Sequence, residues 1–261
     1  SHLVEELLKR GFVVKAFIKY NSRNNFGWLE GLSNPNLEIV TGDIRDYDSV
    51  SSVISDCSTV FHLAALIGIP YSYVSPLAYI RTNIEGTYNV LESSRKSGVR
   101  DVIITSTSET YGSAQYVPID EKHPLVGQSP YSASKISADE ISLSYYRSFD
   151  LPVKIVRPFN TFGPRQSARA VIPSIIIQLL NGKRKINIGN LLPVRDFTFV
   201  KDTVNGFLEV YNESKLLGEV TNIGTGSGIS ILDLYNKICD ITSIKSELFN
   251  DDIRIKKKKS E

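Results

Sequence analysis

The chain has 261 residues, 41% of them hydrophobic, and its 30 Lys and Arg against 28 Asp and Glu give a net charge of +2. This content can bury a substantial core, in one large domain or in one domain with a smaller lobe. The near-balance of charge excludes a strong attraction to nucleic acid or membranes, and no apolar run reaches the roughly 20 residues of a bilayer span.

Strand-like and helix-like segments alternate in the first part of the chain. Apolar runs and turn residues predict these elements in order: helix 3–10, strand 12–18, strand 37–40, helix 46–55, strand 59–63, helix 76–96, strand 101–106, a helix from 131 onward and strand 153–157. This rhythm predicts an α/β fold, a Rossmann-like doubly wound parallel sheet with helices on both faces.

Shorter elements follow Gly163 and Pro164. They are predicted in the order helix 170–180, strand 185–188, strand 195–200, helix 201–211, strand 219–223 and helix 232–241. We interpret them as a smaller α/β lobe interleaved with the end of the main sheet. The predicted division gives 1–163 and 196–224 to a dinucleotide-binding domain, and 164–195 and 225–261 to a substrate-binding lobe that ends early.

The most informative stretch is Tyr131-Ser132-Ala133-Ser134-Lys135, which follows Thr107-Ser108-Glu109 by about two dozen residues. A tyrosine and a lysine four residues apart project from one helix face, and the ammonium is expected to lower the pKa of the phenol so that it can accept a proton. Such a pair also arises by chance on solvated helices. Its position favours function, because Glu109 follows a buried strand at the edge where open α/β sheets bind ligands.

Other polar features of the sequence have structural interpretations. Cys57 and Cys239 are predicted to be reduced thiols of a cytoplasmic protein, and His62 a packed histidine at a strand end. The three histidines lack the spacing of metal ligands, so no metal is predicted. The glycines of 224–228 follow a strand and precede a helix, but no acidic strand follows, and we interpret them as a turn connecting the lobes.

Several spaced motifs resemble those of the extended short-chain dehydrogenase/reductases that act on nucleotide sugars. They are Thr107 with Tyr131 and Lys135, Thr82-Asn83-Ile84-Glu85-Gly86-Thr87, Arg157-Pro158-Phe159-Asn160, Gly163-Pro164-Arg165, Arg195-Asp196-Phe197 and Asn222-Ile223-Gly224. The resemblance covers nearly the whole chain. Within the family the chain is most similar to the nucleotide-sugar 4,6-dehydratases of legionaminic-acid-type pathways, especially at 157–171 and at Tyr20-Asn21-Ser22.

This resemblance implies a dehydration on UDP- or GDP-N-acetylglucosamine. Tyr131 would accept the proton during oxidation at C4 of the sugar, Thr107 would bind the 4-hydroxyl, and Lys135 would hold the nicotinamide ribose. Glu109 would remove the C5 proton as the 6-hydroxyl leaves, and a hydride would return to C6, giving a 4-keto-6-deoxy sugar. Some relatives have an aspartate as general acid where this chain has Ser108, so Ser108, Glu109 or a water is left as the proton donor.

The resemblance also implies binding residues. The cofactor site would comprise Asp43, Ile44, Leu63, Ala64, Ala65, Thr105, Tyr131, Lys135 and Pro158, with Leu66 beside it, and the substrate site would comprise Asn160, Arg165, Val171 and Arg195. Asn83 would be a structural hydrogen-bonding residue, and the alternative for Arg195 is a surface ion pair with Asp196. The cofactor implied is NAD, although Lys19 and Arg23 near the end of the second strand leave NADP open.

Alternatives to the dehydratase remain open at this point. A UDP-glucuronate decarboxylase or a UDP-sugar 4-epimerase would use the same scaffold, and an inactive binding or scaffold relative is the third hypothesis. The family pattern implies a homodimer through the segments 79–96 and 131–149. It also leads us to expect that a first strand, its glycine loop and a carboxyl-terminal piece are absent from this chain, which puts dinucleotide binding and activity of these residues alone in doubt.

Overall fold

The computed structural model describes residues 1–23 and 25–250. In chain order its main elements are α1 (His2–Lys9), β1 (Val14–Lys19), β2 (Leu37–Gly42), α2 (Tyr47–Ile54), β3 (Thr59–His62), α3 (Ile69–Val74), α4 (Pro76–Tyr79), α5 (Gly86–Ser97), β4 (Asp101–Thr105), α6 (Pro130–Phe149), β5 (Val153–Pro158), β6 (Asn160–Phe162), α7 (Val171–Leu180), β7 (Lys185–Ile188), β8 (Val194–Phe199), α8 (Val200–Asn212), β9 (Val220–Ile223), β10 (Gly228–Ser230), α9 (Ile231–Thr242) and β11 (Glu247–Asn250).

The chain forms two compact units. The first, unit 1, comprises Ser1–Pro158 and Lys201–Ile223. The second, unit 2, comprises Phe159–Val200 and the described residues from Gly224 onward. The last part of the predicted substrate-binding lobe, after residue 250, lies outside the described residues.

Unit 1 is built on parallel strands. β3, β4, β5 and β9 are neighbours in that order and are parallel throughout, with Thr59 opposite Asp101 and Val102 opposite Val153. β1 and β2 form a second parallel pair. The parallel α/β sheet predicted from the sequence is therefore confirmed, and the polar residues that follow these strands share the carboxyl edge of the sheet.

Helices cover both faces of the four-stranded sheet. Along β4, Val102 and Ile104 pack in a buried cluster with residues of α2, α5 and α6. Ile103, which points the opposite way, packs with Phe207 of α8. Alternate residues of a strand face opposite sides, so a segment buried on both faces is apolar at successive positions, as Val102, Ile103 and Ile104 of β4 are.

The helix predicted over 76–96 is interrupted. α4 ends at Tyr79, a π-helical turn spans Ile80–Glu85, and α5 begins at Gly86. Widened turns of this kind often mark functional positions in helices. Here the turn carries Asn83, whose side chain is buried and hydrogen-bonded to the loop after β3.

Unit 2 contains a three-stranded sheet in the order β10, β8, β6 and a parallel pair of β7 with β11. Its core is an apolar cluster that includes Ile175 of α7, Ile186 of β7 and Leu234 of α9. The sequence reading missed β6, β10 and β11. These strands have only three or four residues, which is too short for an alternating apolar pattern to stand out.

Candidate active site

Predicted site residues of unit 1 follow the carboxyl ends of neighbouring strands. Leu63 and Ala64 come directly after β3 and are exposed, Thr105 is the last residue of β4, and Pro158 is the last residue of β5. Because these three strands are parallel neighbours, the structure brings the residues to one edge of the sheet. This is the edge at which open α/β sheets bind ligands.

The helix α6 begins with a capping arrangement that fixes the position of Tyr131. The Ser129 hydroxyl accepts a hydrogen bond from the Ser132 backbone N–H at 3.1 Å, and the Ser132 hydroxyl accepts one from the Ser129 N–H at 2.9 Å. Pro130 occupies the first helical position, where a missing N–H costs nothing. Tyr131 and Lys135 therefore lie on the first turns of a well-defined helix, as the sequence predicted.

The Tyr131 phenol is buried and surrounded by polar groups. The Thr107 side chain hydrogen-bonds to it, and Tyr79 packs edge-on against its ring with 6.2 Å between centroids. Burial raises the pKa of Tyr131 to about 12, the Thr107 hydrogen bond opposes that rise, and the Glu109 carboxylate adds to it. The expectation that Lys135 lowers this pKa to below its ordinary value is wrong for this structure, because desolvation outweighs the stabilising contacts.

Lys135 is almost fully buried, with 3% of its surface exposed. Its Nζ donates a hydrogen bond to the Thr105 carbonyl at 2.5 Å, at the end of β4. Burial lowers the pKa of Lys135, and the nearby Asp139 carboxylate opposes that change. The lysine thus joins α6 to the strand that leads into Thr107.

Thr107, Ser108 and Glu109 form the start of a short turn after β4. Thr107 caps the turn by accepting a hydrogen bond from the Glu109 N–H at 3.2 Å. All three side chains are half-buried. The Glu109 carboxylate lies on this turn, and its charge contributes to the raised pKa of the Tyr131 phenol.

Asn83 and His62 have structural roles, as the sequence indicated. Asn83 accepts a hydrogen bond from the Leu66 N–H at 2.8 Å and donates to the Leu66 carbonyl and the Ser134 hydroxyl at 2.9 Å each. His62 is buried beside Thr87, with 3.0 Å between the imidazole Nε2 and the threonine hydroxyl. Burial, assisted by Lys135, lowers the pKa of His62 to about 3.

The predicted adenine-flanking residues follow β2. The Asp43 carboxylate pairs with Arg45, whose Nη2 and Nε lie 2.5 Å and 2.9 Å from it, and this pairing lowers the pKa of Asp43 to about 2. The Ile44 carbonyl accepts a hydrogen bond from Asn89 at 3.0 Å. The residues that follow β2 are therefore a carboxylate paired with Arg45 and an apolar side chain.

The predicted substrate-binding residues lie in unit 2. Asn160 donates to the Asp196 carbonyl at 3.2 Å, and Arg195 donates to the Val194 carbonyl at 3.0 Å. Arg165 has a φ of +69°, a left-handed conformation that is uncommon outside glycine and is found preferentially at functional positions. Val171 is the first residue of α7.

The Asp196 carboxylate holds the glycine-rich turn. It accepts hydrogen bonds from the backbone N–H groups of Thr225 and Gly226 and from the Thr225 hydroxyl, at 2.7–3.0 Å. These contacts support the interpretation of 224–228 as a structural turn. The Asp196 carboxylate is thus bonded to this turn, and the Arg195 guanidinium donates to the Val194 carbonyl. These contacts do not support the alternative of an ion pair between Arg195 and Asp196.

Sequence reasoning missed a buried polar network behind the site. Asp139, on the same face of α6 as Lys135, accepts hydrogen bonds from Ser106 and Arg157, and Arg157 donates to the Tyr111 hydroxyl at 3.2 Å. The spacing of four between Lys135 and Asp139 was the available signal, since it places a cation and an anion one helical turn apart.

Across 1–23 and 25–250, no three or more His, Cys, Asp or Glu side chains come together as a metal site would require. In the same part of the chain, the helices are too short or too polar to cross a bilayer.

Comparisons with known proteins identify the family. The family model described as GDP-mannose 4,6 dehydratase matches residues 1–260. The chain is 36% identical to dTDP-glucose 4,6-dehydratase of Streptomyces antibioticus over 207 residues, which is 79% of this chain and 62% of that enzyme. It is 33% identical to UDP-N-acetyl-alpha-D-glucosaminuronate decarboxylase of Bacillus cytotoxicus, covering 95% of this chain and 78% of the relative.

Solved structures give the same result. The structure superposes on the dTDP-glucose 4,6-dehydratase DesIV of Streptomyces venezuelae, crystallised with NAD bound, with a TM-score of 0.87 and 27% identity, covering 99% of this chain and 81% of that one. The resemblance to nucleotide-sugar enzymes of the extended short-chain dehydrogenase/reductase type is confirmed. The chain belongs to the GDP-mannose 4,6-dehydratase family.

Proposed function

We propose that the protein is a nucleotide-sugar 4,6-dehydratase that makes a 4-keto-6-deoxy sugar. The observation that carries this proposal is the convergence of two groups on the Tyr131 phenol, the Thr107 hydroxyl by a hydrogen bond and the Glu109 carboxylate by its charge. Oxidation of an alcohol needs one base. A second, carboxylate base beside the first is what elimination of water from the neighbouring carbons requires.

The residues divide the reaction between them. Tyr131 accepts the proton of the sugar 4-hydroxyl while Thr107 holds that hydroxyl, and Lys135 supplies positive charge one helical turn away. Once C4 is a ketone, the proton on C5 is acidic, and Glu109 removes it. The 6-hydroxyl leaves as water with a proton from Glu109, from Ser108 or from a water, and C5 is reprotonated, so that the sugar loses one water in total.

The cofactor that fits this chemistry is NAD, which when bound takes hydride from C4 and returns it to C6. Asp43 and Ile44 would flank its adenine, and Leu63, Ala64, Ala65 and Pro158 would line its groove. Tyr131, Lys135 and Thr105 would lie at its nicotinamide end. The structural neighbour crystallised with NAD supports this choice over NADP.

We propose that the substrate is UDP-N-acetylglucosamine or GDP-N-acetylglucosamine. Arg165 and Arg195 would bind its diphosphate, because a guanidinium pairs two donors with phosphate oxygens. Asn160 and Val171 would contact the rest of the nucleotide sugar. The left-handed backbone of Arg165 supports a binding role, since such strain is retained mainly where function needs it.

Decarboxylation of a nucleotide-activated uronic acid is the second candidate. The specific observation in its favour is Ser108, which stands where some 4,6-dehydratases have an aspartate general acid. The decarboxylase of Bacillus cytotoxicus, 33% identical to this chain, belongs to the same set of relatives. A reaction that releases carbon dioxide needs no acid to protonate a leaving hydroxyl.

We further propose a homodimer through the segments 79–96 and 131–149, in the cytoplasm. Ile80, Tyr88 and Phe149 are large apolar side chains in these segments with 51%, 45% and 52% of their surfaces exposed. Large apolar side chains that are exposed on these two helical segments would gain from burial against a second copy. Analytical ultracentrifugation of the protein and of its Ile80→Asp variant tests this proposal, because a dimer should dissociate when the charge is introduced.

The reaction is tested by mass spectrometry of the products. The full protein is incubated with NAD and, separately, with UDP-N-acetylglucosamine, GDP-N-acetylglucosamine and UDP-glucuronate. A dehydratase converts an N-acetylglucosamine nucleotide into a product lighter by one water that absorbs in alkali as a 4-keto sugar. A decarboxylase instead releases carbon dioxide from UDP-glucuronate, and an epimerase leaves the mass unchanged; either result would refute the proposal.

A further inference from the structure

A fully buried carboxyl group lies on the helix that carries Tyr131 and Lys135. Asp139 of α6 has 0% of its surface exposed. Its Oδ2 accepts hydrogen bonds from the Ser106 hydroxyl at 2.7 Å and from Nη2 and Nε of Arg157 at 2.9 Å and 3.1 Å. Burial raises the pKa of this carboxyl, and the Arg157 and Lys135 charges and the Ser106 hydrogen bond oppose that rise and favour the carboxylate.

The position of Asp139 relates it to both halves of the site. It lies one helical turn after Lys135, and the two side chains act on each other electrostatically. Its partner Ser106 immediately precedes Thr107, and Lys135 itself bonds to the carbonyl of Thr105. The carboxylate therefore connects the helix that carries the tyrosine and lysine with the strand end that carries the threonine.

The balance of buried charge explains why a carboxylate is needed. Lys135 and Arg157 each have only 3% of their surfaces exposed. Asp139 accepts a hydrogen bond from Arg157 and lies one helical turn after Lys135. Burial favours loss of the lysine proton, and among the charges that act on Lys135 the Asp139 carboxylate is the one that opposes this loss. Arg157 stays protonated at any pH at which proteins are folded, so it remains the partner of an anion.

We propose that Asp139 is a positioning residue of the active site, whose negative charge keeps Lys135 an ammonium and whose bond to Ser106 fixes the end of β4 beside Thr107. The inference deepens the proposed function, because it concerns how the same site is kept ready for proton transfer. Asp139 does not itself need to touch substrate or cofactor.

The groups that face Asp139 determine the sign of the pH effect. On its own helix these are Lys135 and Tyr131, and Asp139 is among the charges that raise the pKa of Tyr131. Loss of the negative charge should therefore lower the pKa of the lysine and of the tyrosine together. Glu109 acts on Tyr131 as well and would remain in place.

Groups on neighbouring elements complete this account. Arg157 of β5 contacts Asp139, and the buried Tyr111 hydroxyl accepts a hydrogen bond from Arg157. His62 of β3 interacts with Lys135, but its pKa of about 3 leaves it neutral at working pH. Removing the Asp139 charge therefore leaves two buried cations without their anion, and Lys135 is the one that can lose its proton.

The test follows the titration of Lys135 directly. In the protein with 13C-labelled lysine and no added ligand, the Lys135 signal is assigned by its loss in Lys135→Arg, and its titration is compared between wild type and Asp139→Asn. Asparagine keeps the shape and the acceptor oxygen while removing the charge. We expect the lysine to titrate at lower pH in Asp139→Asn and nearer the wild-type pH in Asp139→Glu.

A matched control lies at the opposite end of the same strands. Lys154 is buried, with Nζ 3.2 Å from the Asp101 carboxylate, at the amino ends of β4 and β5. Asp101→Asn also removes an anion beside a buried lysine, and it should leave the Lys135 titration unchanged. If Asp139→Asn does not fold, the double variant Asp139→Asn with Arg157→Gln is used, because it removes the Arg157 cation together with its anionic partner. In this double variant Lys135 should still titrate at lower pH than in wild type.

The outcomes separate this inference from the proposed function. An unchanged Lys135 titration in folded Asp139→Asn, or an equal change in Asp101→Asn, overturns the inference even if the enzyme is a dehydratase. A shifted titration supports it even if no dehydration is found. In an active enzyme, both limbs of the profile of kcat against pH should also move to lower pH.

Discussion

The Thr107 side chain is hydrogen-bonded to the Tyr131 phenol. This contact joins the turn after β4 to the first turn of α6, two segments that are far apart in the sequence. It places a hydroxyl donor beside the group proposed to accept a proton from the sugar. The relationship makes the site sensitive to changes at either residue.

Replacing Thr107 tests the hydrogen bond itself. Thr107→Val keeps the shape but removes the hydroxyl, and it should reduce kcat by about 10- to 100-fold, since one stabilising donor is lost from the phenol and from the sugar hydroxyl. Thr107→Ser keeps the hydroxyl and should restore most of the rate. Equal losses in the two variants, measured by product formation, would contradict the role of the hydroxyl.

Tyr131→Phe should remove the proton acceptor for oxidation at C4. We expect kcat to fall by roughly 10²- to 10⁴-fold with the fold intact. Tyr145→Phe is the matched control, because Tyr145 lies on the same helix, also has its pKa raised to about 12, and hydrogen-bonds to Glu92 away from the site. A wild-type rate in Tyr131→Phe would exclude the phenol as the base.

The same pKa predicts how the rate depends on pH. Because burial raises the pKa of Tyr131 to about 12, the phenol holds its proton at neutral pH in the protein alone. A base must be free of its proton to act, so the rate of C4 oxidation should increase with pH through the neutral and mildly alkaline range. Stopped-flow measurement of NADH formation at several pH values checks this, and a rate that declines with rising pH would contradict it.

His62 should make the fold less stable in acid. Its pKa is about 3 in the folded protein against 6.5 as the ordinary value, so the unfolded chain binds a proton that the folded protein cannot. The free energy of unfolding should fall as pH drops below 6.5, by up to about 1.4 kcal/mol per pH unit. Urea unfolding of wild type and His62→Gln at several pH values measures this, and an unchanged pH dependence in a folded His62→Gln would contradict it.

Asn83 should affect stability. Asn83→Leu leaves the Leu66 N–H and carbonyl without their side-chain partner, and we expect a loss of about 2–4 kcal/mol in the free energy of unfolding. Asn34→Ala, which removes an acceptor from an exposed turn, should cost well under that amount. Urea unfolding compares the two, and equal losses would refute a special structural role for Asn83.

Much of the fold could be predicted from the sequence because several of its parallel strands carry consecutive apolar residues. β4 is the clearest case, since Val102, Ile103 and Ile104 are all fully buried. The interruption of the helix at 80–85 could not be predicted, because it depends on where Asn83 finds its partners after the chain has folded. Short strands such as β10 owe their pairing to tertiary contacts with β8.

The proposed catalytic residues could be identified from their spacing and from their positions after strands. Their pKa values could not be predicted in the same way. The distance of four between Tyr131 and Lys135 fixes their common helix face, whereas the pKa of the phenol depends on how deeply the ring is buried. Asp139 was missed for a similar reason. An aspartate within a helix is usually solvated, and only packing against Ser106 and Arg157 reveals it as a buried charge.

The most direct test of the central claim is incorporation of solvent deuterium by wild type and Glu109→Gln. Glutamine keeps the size of the side chain but cannot take a proton, and Glu140→Gln, an exposed position on α6, is the control. In deuterated water with NAD and UDP- or GDP-N-acetylglucosamine, wild type and Glu140→Gln should yield the 4-keto-6-deoxy product with deuterium at C5, and Glu109→Gln should yield at least about 100-fold less. Undiminished formation of C5-deuterated product by Glu109→Gln would contradict the account.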